Sequence, residues 1–118
     1  MPSLFITATG THVGKTYTTL KLIEAFAQKG IKVGAFKPIE TGVEDQPLDA
    51  KALLEASQRF NPDFSDLTPT DITAYTFSLP AAPFCADTRQ EIKLEKIFET
   101  YHALLKRCDL LLVEGAGG

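Results

Sequence analysis

Leu4-Phe5-Ile6-Thr7-Ala8-Thr9-Gly10-Thr11-His12-Val13-Gly14-Lys15-Thr16 is the stretch on which the rest of this chain turns. A short apolar run breaks into a Gly/Thr-rich loop, and the loop closes on Gly-Lys-Thr just as a helical pattern begins. Strand, then a nest of backbone N–H groups, then a helix N-terminus is the layout that cradles phosphates. In that layout Gly14 lets the backbone approach the phosphates, Lys15 neutralises the β- and γ-oxygens, and the Thr16 hydroxyl ligates Mg²⁺. The strict spacing asks for glycine at position 9, where this chain has Thr9, and the nearest glycine is Gly10. The loop is therefore a variant. The competing interpretation is an ordinary tight strand-to-helix turn.

Outward from this stretch the pattern is α/β. Leu20, Ile23 and Ala27 fall on one helical face with Leu22 and Phe26 beside them, and Gly30 suits a C-cap, which predicts a helix from about Lys15 to Lys29. Ile31 to Phe36 reads as a second strand, with Lys37-Pro38 at its carboxyl end. Glu40 to Leu48 is polar and turn-rich, and Asp49 opens a helical pattern through Ala52, Leu53 and Ala56. Asn61 to Thr73, with two prolines and little periodicity, reads as a surface connection. Ala74 to Phe77 fits a short strand and Leu79 to Phe84 an irregular loop. Leu94, Ile97, Phe98, Tyr101, Leu104 and Leu105 form an amphipathic stripe, followed by Lys106 and Arg107 at the negative helix end. Leu110 to Val113 is a continuous apolar run, as expected for a strand covered on both faces. Strands alternating with helices imply a parallel sheet.

Composition narrows the function classes. The 118 residues fit one domain, and 44% hydrophobic with 23% charged residues is ordinary for a water-soluble fold. A formal net charge of −3 argues against a nucleic-acid surface, which is normally basic. Cys85 and Cys108 form no C-x-x-C pair and are expected to be buried or semi-buried thiols in a reducing cytosol. No secretory signal is visible, and no apolar run approaches the roughly 20 residues of a membrane span. A cytoplasmic protein with no membrane partner is expected.

In a parallel sheet the chemistry belongs at the carboxyl ends of the strands. Lys15 and Thr16 follow the first strand, Lys37 follows the second, and Glu114 with Gly115-Ala116-Gly117-Gly118 follows the last. Leu-Leu-Leu-Val-Glu has the form of an acidic strand end that binds Mg²⁺ directly or through water; the alternative is a solvated acid before a turn. Lys37 is held extended by Pro38, and the alternative is a surface lysine. Asp49 fits either an N-cap or first-turn acid or a metal ligand, and the roles are compatible.

These elements together form a recognisable series. Gly10-Thr11-His12-Val13-Gly14-Lys15-Thr16, then Lys37-Pro38-Ile39-Glu40-Thr41-Gly42, then Asp49, then Val113-Glu114-Gly115-Ala116-Gly117-Gly118 resembles the dethiobiotin synthetase family. The resemblance implies a P-loop NTPase-like three-layer α/β sandwich with a mostly parallel sheet, here truncated. It also implies ATP- and Mg²⁺-dependent ring closure, in which 7,8-diaminononanoate takes up CO₂ as a carbamate, ATP phosphorylates it, and the second amine closes the ureido ring. By the same resemblance Lys37, Lys15 and Thr11 are the catalytic set, and Thr41 contacts the substrate. His12, Val13, Gly14, Lys15, Thr16 and Tyr17, together with Asp49, Glu114, Gly115, Ala116 and Gly117, are the ATP contacts. Thr16, Asp49 and Glu114 are the Mg²⁺ set. A homodimer is implied. Ala8 and Phe84 depart from the family pattern, where glycine and histidine are common.

Family members run on well past Gly-Ala-Gly-Gly, so residues 1–118 are expected to be a single P-loop domain forming the amino-terminal part of a longer one-domain enzyme. Two other functions share parts of the pattern. A cobyrinic-acid amidase-type synthetase has the loop and the acidic strand end but not the Lys37–Gly42 element in this form. A nucleotide-switch ATPase usually carries an extra early lysine, where this chain has Thr9, Gly10 and Thr11.

Overall fold

The computed structural model describes residues 2–7, 14–79, 87 and 89–116. Gly14 takes a left-handed conformation (φ +82°), which turns the chain into helix α1, Lys15–Gln28. At the other end Gly30, also with positive φ, donates to Ala27 O, and Ile31 donates to Phe26 O. That pair of bonds is a Schellman closure, and it ends α1 where the sequence places its C-cap.

Three strands form the main sheet: β1 Ser3–Ile6, β2 Val33–Phe36 and, last in sequence, β5 Leu110–Glu114. Their spatial order is β1-β5-β2, all parallel. The register sets Ile6 beside Glu114 and Phe36 beside Val113. The carboxyl ends of all three strands therefore meet at one edge. Successive strand residues face opposite sides, and both Leu111 and Leu112 are fully buried, so β5 is covered on both faces. The helices supply the cover. Helices α1 and α2 (Leu48–Phe60) pack together against the sheet, and α3 (Leu94–Leu105) packs on β2 and β5. A second sheet, absent from the sequence expectations in part, pairs the two-residue strands β3 Ile39–Glu40 and β4 Tyr75–Thr76 in parallel.

Two expectations need correction. The segment from Asn61 to Thr73 runs over the surface but is more than a connection, because Asn61, Phe64 and Ile72 are fully buried and pin it to the core. Pro62 and Pro69 open short 3₁₀ turns, where a missing N–H costs nothing. Asn61 holds the segment inside: its Nδ2 donates to Val33 O at 3.1 Å and Arg107 O at 3.0 Å, and its Oδ1 accepts from Asp63 N at 2.9 Å. The polarity of Asn61 serves internal hydrogen bonds, while Asp63, Ser65, Asp66, Thr68, Thr70 and Asp71 face solvent. The stripe on α3 is also narrower than its pattern. Ile97, Tyr101, Leu104 and Leu105 join the core, whereas Leu94 and Phe98 are 63% and 55% exposed.

Cys108 is buried, as expected, and Cys85 lies outside the described residues, as do Ala8 and Phe84. No helix among the described residues is long and apolar enough to cross a membrane.

Candidate active site

The residues singled out at the strand ends converge. Glu114 is the last residue of β5 and is completely buried. Its Oε1 accepts from Lys37 Nζ at 2.9 Å and from Thr16 Oγ1 at 2.8 Å. Lys37, one residue past β2 and 3% exposed, also reaches Gly115 O at 3.4 Å and lies 3.5 Å from Asp49 Oδ2. Residues of α1 and α2 thus meet the Lys37–Glu114 pair, Thr16 on Glu114 and Asp49 beside Lys37. The solvated-acid alternative for Glu114 and the surface-lysine alternative for Lys37 both fail, since neither side chain reaches solvent.

Lys15, the first residue of α1, is 4% exposed. Burial and the neighbouring Lys37 push its ammonium below the usual lysine range, while Glu114 and Asp49 pull it back. Two cations and two carboxylates therefore share one corner with balanced charge, Lys15, Lys37 and Glu114 buried and the Asp49 side chain 40% exposed at its mouth. Such a corner favours an incoming polyanion only when further positive charge comes with it.

The donor set fits a divalent cation of the Mg²⁺ kind. Glu114 Oε2 is buried and has no hydrogen-bond partner among the described residues. A buried carboxylate oxygen with spare lone pairs is costly unless something else takes them. Thr16 Oγ1 adds a hydroxyl on the same carboxylate and Asp49 a second acid nearby. Hard oxygens from one or two carboxylates and a hydroxyl, completed by phosphates and water, are what Mg²⁺ takes at nucleotide sites.

Asp49 is not an N-cap. Pro47 holds that position, and Asp49 is a first-turn acid of α2. Its backbone N–H, and that of Ala50, go instead to the carboxylate of Glu40 at 3.0 and 2.8 Å. Glu40 lies inside the Lys37–Gly42 element, where no role is expected of it from the sequence. The available signal was Pro47, a residue without a capping side chain directly ahead of a helix.

The remaining candidates divide. Gly14 is the left-handed turn into α1, and Gly115 N donates to Ile6 O at 3.1 Å, tying the last strand end to the first. Ala116 follows, half-buried. Thr41 is half-buried in the turn after β3. Tyr17 lies on the exposed side of α1, with Lys21 Nζ 5.5 Å from its ring centre. Thr11, His12, Val13 and Gly117 lie outside the described residues.

A nucleotide-type strand edge with this motif order invites comparison with known proteins. The family model described as AAA domain matches residues 2–118. The chain belongs to the AAA domain family. Within the similarities of this AAA-domain chain, the protein named ATP-dependent dethiobiotin synthetase BioD of Sulfurovum sp. (strain NBC37-1) is 64% identical over 118 residues, which is 100% of this chain and 56% of that protein. The protein of the same name from Wolinella succinogenes is 40% identical over 120 residues, 100% of this chain and 55% of its own length. That of Methanocaldococcus jannaschii is 38% identical over 122 residues, 98% of this chain and 52% of its own. The AAA-domain chain thus spans about half the length of the curated relatives it matches.

Proposed function

We propose that the protein containing this chain is an ATP-dependent dethiobiotin synthetase, a cyclo-ligase of biotin biosynthesis. In its reaction 7,8-diaminononanoate first takes up CO₂ on one amine as a carbamate. A carbamate oxygen attacks the γ-phosphorus of ATP, the bond to the β-phosphate oxygen breaks, and ADP leaves. The second amine then attacks the carbamoyl carbon, loses a proton, and expels phosphate as the ureido ring closes. The observation that carries this proposal is the buried Lys37–Glu114 pair, set 3.5 Å from Asp49 and beside Lys15 at the sheet's carboxyl edge. The names of the relatives support the substrate assignment over an amidase-type synthetase or a nucleotide switch.

Each residue has a distinct part. Lys15 and the backbone after Gly14 take the phosphates, and Thr11 and Lys15 bracket the phosphoryl group with the carbamate. Lys37 is parked on Glu114 and Asp49 as a fully desolvated cation, and it shifts toward the negative charge that builds on the phosphoryl and carbamate oxygens. In a dry site such a preplaced cation is worth far more than in water. Thr41 contacts the diamine. His12, Val13, Tyr17, Ala116 and Gly117 border the nucleotide. Thr16, Asp49 and Glu114 would hold Mg²⁺, which would offset the negative charge of the phosphate oxygens. Residues 1–118 form a single nucleotide-binding domain within a longer one-domain enzyme, and a cytoplasmic homodimer is the proposed form.

The test is product formation by the full-length protein. With 7,8-diaminononanoate, CO₂, ATP and Mg²⁺ it is expected to release dethiobiotin and ADP in equal amounts, and none when CO₂ or ATP is withheld. Equal ATP hydrolysis with and without the diamine, and no dethiobiotin, would contradict the proposal.

A further inference from the structure

Helix α2 starts without a cap of its own. Pro47 at the N-cap has no side-chain oxygen to offer, so the first-turn N–H groups must find partners elsewhere. Glu40 provides them from another element. Its Oε2 accepts from Asp49 N at 3.0 Å and its Oε1 from Ala50 N at 2.8 Å, so one carboxylate spans two consecutive amides. The side chain is 5% exposed. Burial raises its pKa, while the Ala50 and Asp49 N–H groups oppose that rise, as they would for a carboxylate held in place by those bonds.

The backbone of Glu40 is equally constrained. It pairs with Thr76 in the β3–β4 sheet, and its carbonyl accepts from Phe77 N at 2.9 Å. Two residues earlier Pro38 O accepts from Ala74 N and Tyr75 N, and Lys37 N donates to Ile72 O at 2.8 Å. The stretch from Lys37 to Glu40 is therefore fixed at both ends. A closed circuit results: Lys37 leads along the backbone to Glu40, the Glu40 carboxylate grips the amide of Asp49, and the Asp49 carboxylate returns to Lys37 Nζ at 3.5 Å.

We infer that Glu40 is a positioning residue, which sets the Asp49 carboxylate at its working distance from the Lys37–Glu114 pair. This inference rests on the proposed role of Asp49 in holding Mg²⁺. A capping role alone would stabilise α2 without affecting metal affinity. Partners that orient metal ligands from behind typically cost about tenfold or more in affinity when removed.

The test uses the full-length protein saturated with ADP and titrates Mn²⁺, a paramagnetic stand-in for Mg²⁺, by calorimetry and electron paramagnetic resonance. Four forms are compared: wild type, Glu40→Gln, Asp49→Asn and the double variant. Leu54→Ala, which destabilises α2 away from its N-terminus, controls for lost stability. Glu40→Gln is expected to weaken Mn²⁺ binding about tenfold, Leu54→Ala to leave it unchanged, and the double variant to bind no more weakly than Asp49→Asn. Mn²⁺ affinity within twofold of wild type in Glu40→Gln would overturn the inference, as would losses that simply add in the double variant. An Asp49→Asn protein that binds Mn²⁺ normally would instead overturn the assignment of the site, and the inference with it. If Glu40→Gln does not fold, Glu40→Asp, which keeps the charge and shortens its reach, is read by the same outcomes.

Discussion

Lys37 Nζ and Glu114 Oε1 lie 2.9 Å apart, 77 positions apart in sequence, with neither side chain exposed to solvent. The parallel register of β2 on β5 brings them together, since Phe36 pairs with Val113 and the next residue of each strand falls at the same edge. Breaking such a pair strands a buried charge, which typically costs about 3–5 kcal/mol.

Lys37→Met should therefore lower the unfolding midpoint as well as abolish dethiobiotin formation. Adding Glu114→Gln removes the stranded charge, so the double variant should recover most of the stability and none of the activity. Denaturant unfolding alongside product assay separates the two effects. Full stability in Lys37→Met alone would mean that the pair is not buried as described.

Lys15→Ala should weaken ATP binding and slow turnover by a factor corresponding to roughly 2–4 kcal/mol. Lys15 is 4% exposed and lies among Lys37, Glu114 and Asp49, so bulk cations do not substitute for it. Calorimetry with ATP and steady-state kinetics measure both losses. Near-normal values for the two would remove Lys15 from the phosphate site.

Much of this was legible because local chemistry and tertiary structure agree. Gly14 and Gly30 mark the two ends of α1, and the apolar run ending at Glu114 is the central strand. Lys15, Thr16, Lys37, Asp49 and Glu114 were all singled out by their place at strand and helix ends, and Thr16, Lys37, Asp49 and Glu114 are joined by direct contacts. What stayed hidden depends on partners distant in sequence. Asn61 looks like a loop residue until its acceptors, Val33 O and Arg107 O, are known. Glu40 looks like a solvated acid until the uncapped start of α2 is placed against it. Strand β3, two residues long, is too short to carry a periodic signal, whereas its partner β4 falls within the short strand expected over Ala74 to Phe77.

Gly34→Ala should destabilise the fold by about 1–3 kcal/mol, the range typical of overpacking. A methyl group at Gly34 would overlap the fully buried Phe64 ring and come 3.2 Å from Cys108 Sγ. Glycine is needed here for close packing of the 3₁₀ turn on β2. An unchanged denaturation midpoint would show that Phe64 moves aside at no cost.

Burial pushes the Cys108 thiol up to about 11. Unfolded, a cysteine ionises at about pH 8.5. The folded form therefore holds its proton where the unfolded form has lost it. This contribution to stability is fully present below the unfolded pKa and declines as pH rises toward the folded one. In a Cys85→Ser background, Cys108 should resist thiol reagents at pH 8 until the protein unfolds. Rapid native-state labelling would contradict its burial.

If ATP phosphorylates a carbamate at this strand edge, an oxygen of CO₂ must end on phosphate. The most direct measurement follows oxygen from CO₂ into phosphate, using the full-length enzyme with 7,8-diaminononanoate, ATP, Mg²⁺ and ¹⁸O-labelled CO₂ under conditions that limit exchange with water. A carbamate oxygen that attacks the γ-phosphorus stays on that phosphorus when the ring closes. One ¹⁸O is expected in the released phosphate for each dethiobiotin formed, read by mass spectrometry. Dethiobiotin accompanied by unlabelled phosphate would contradict it.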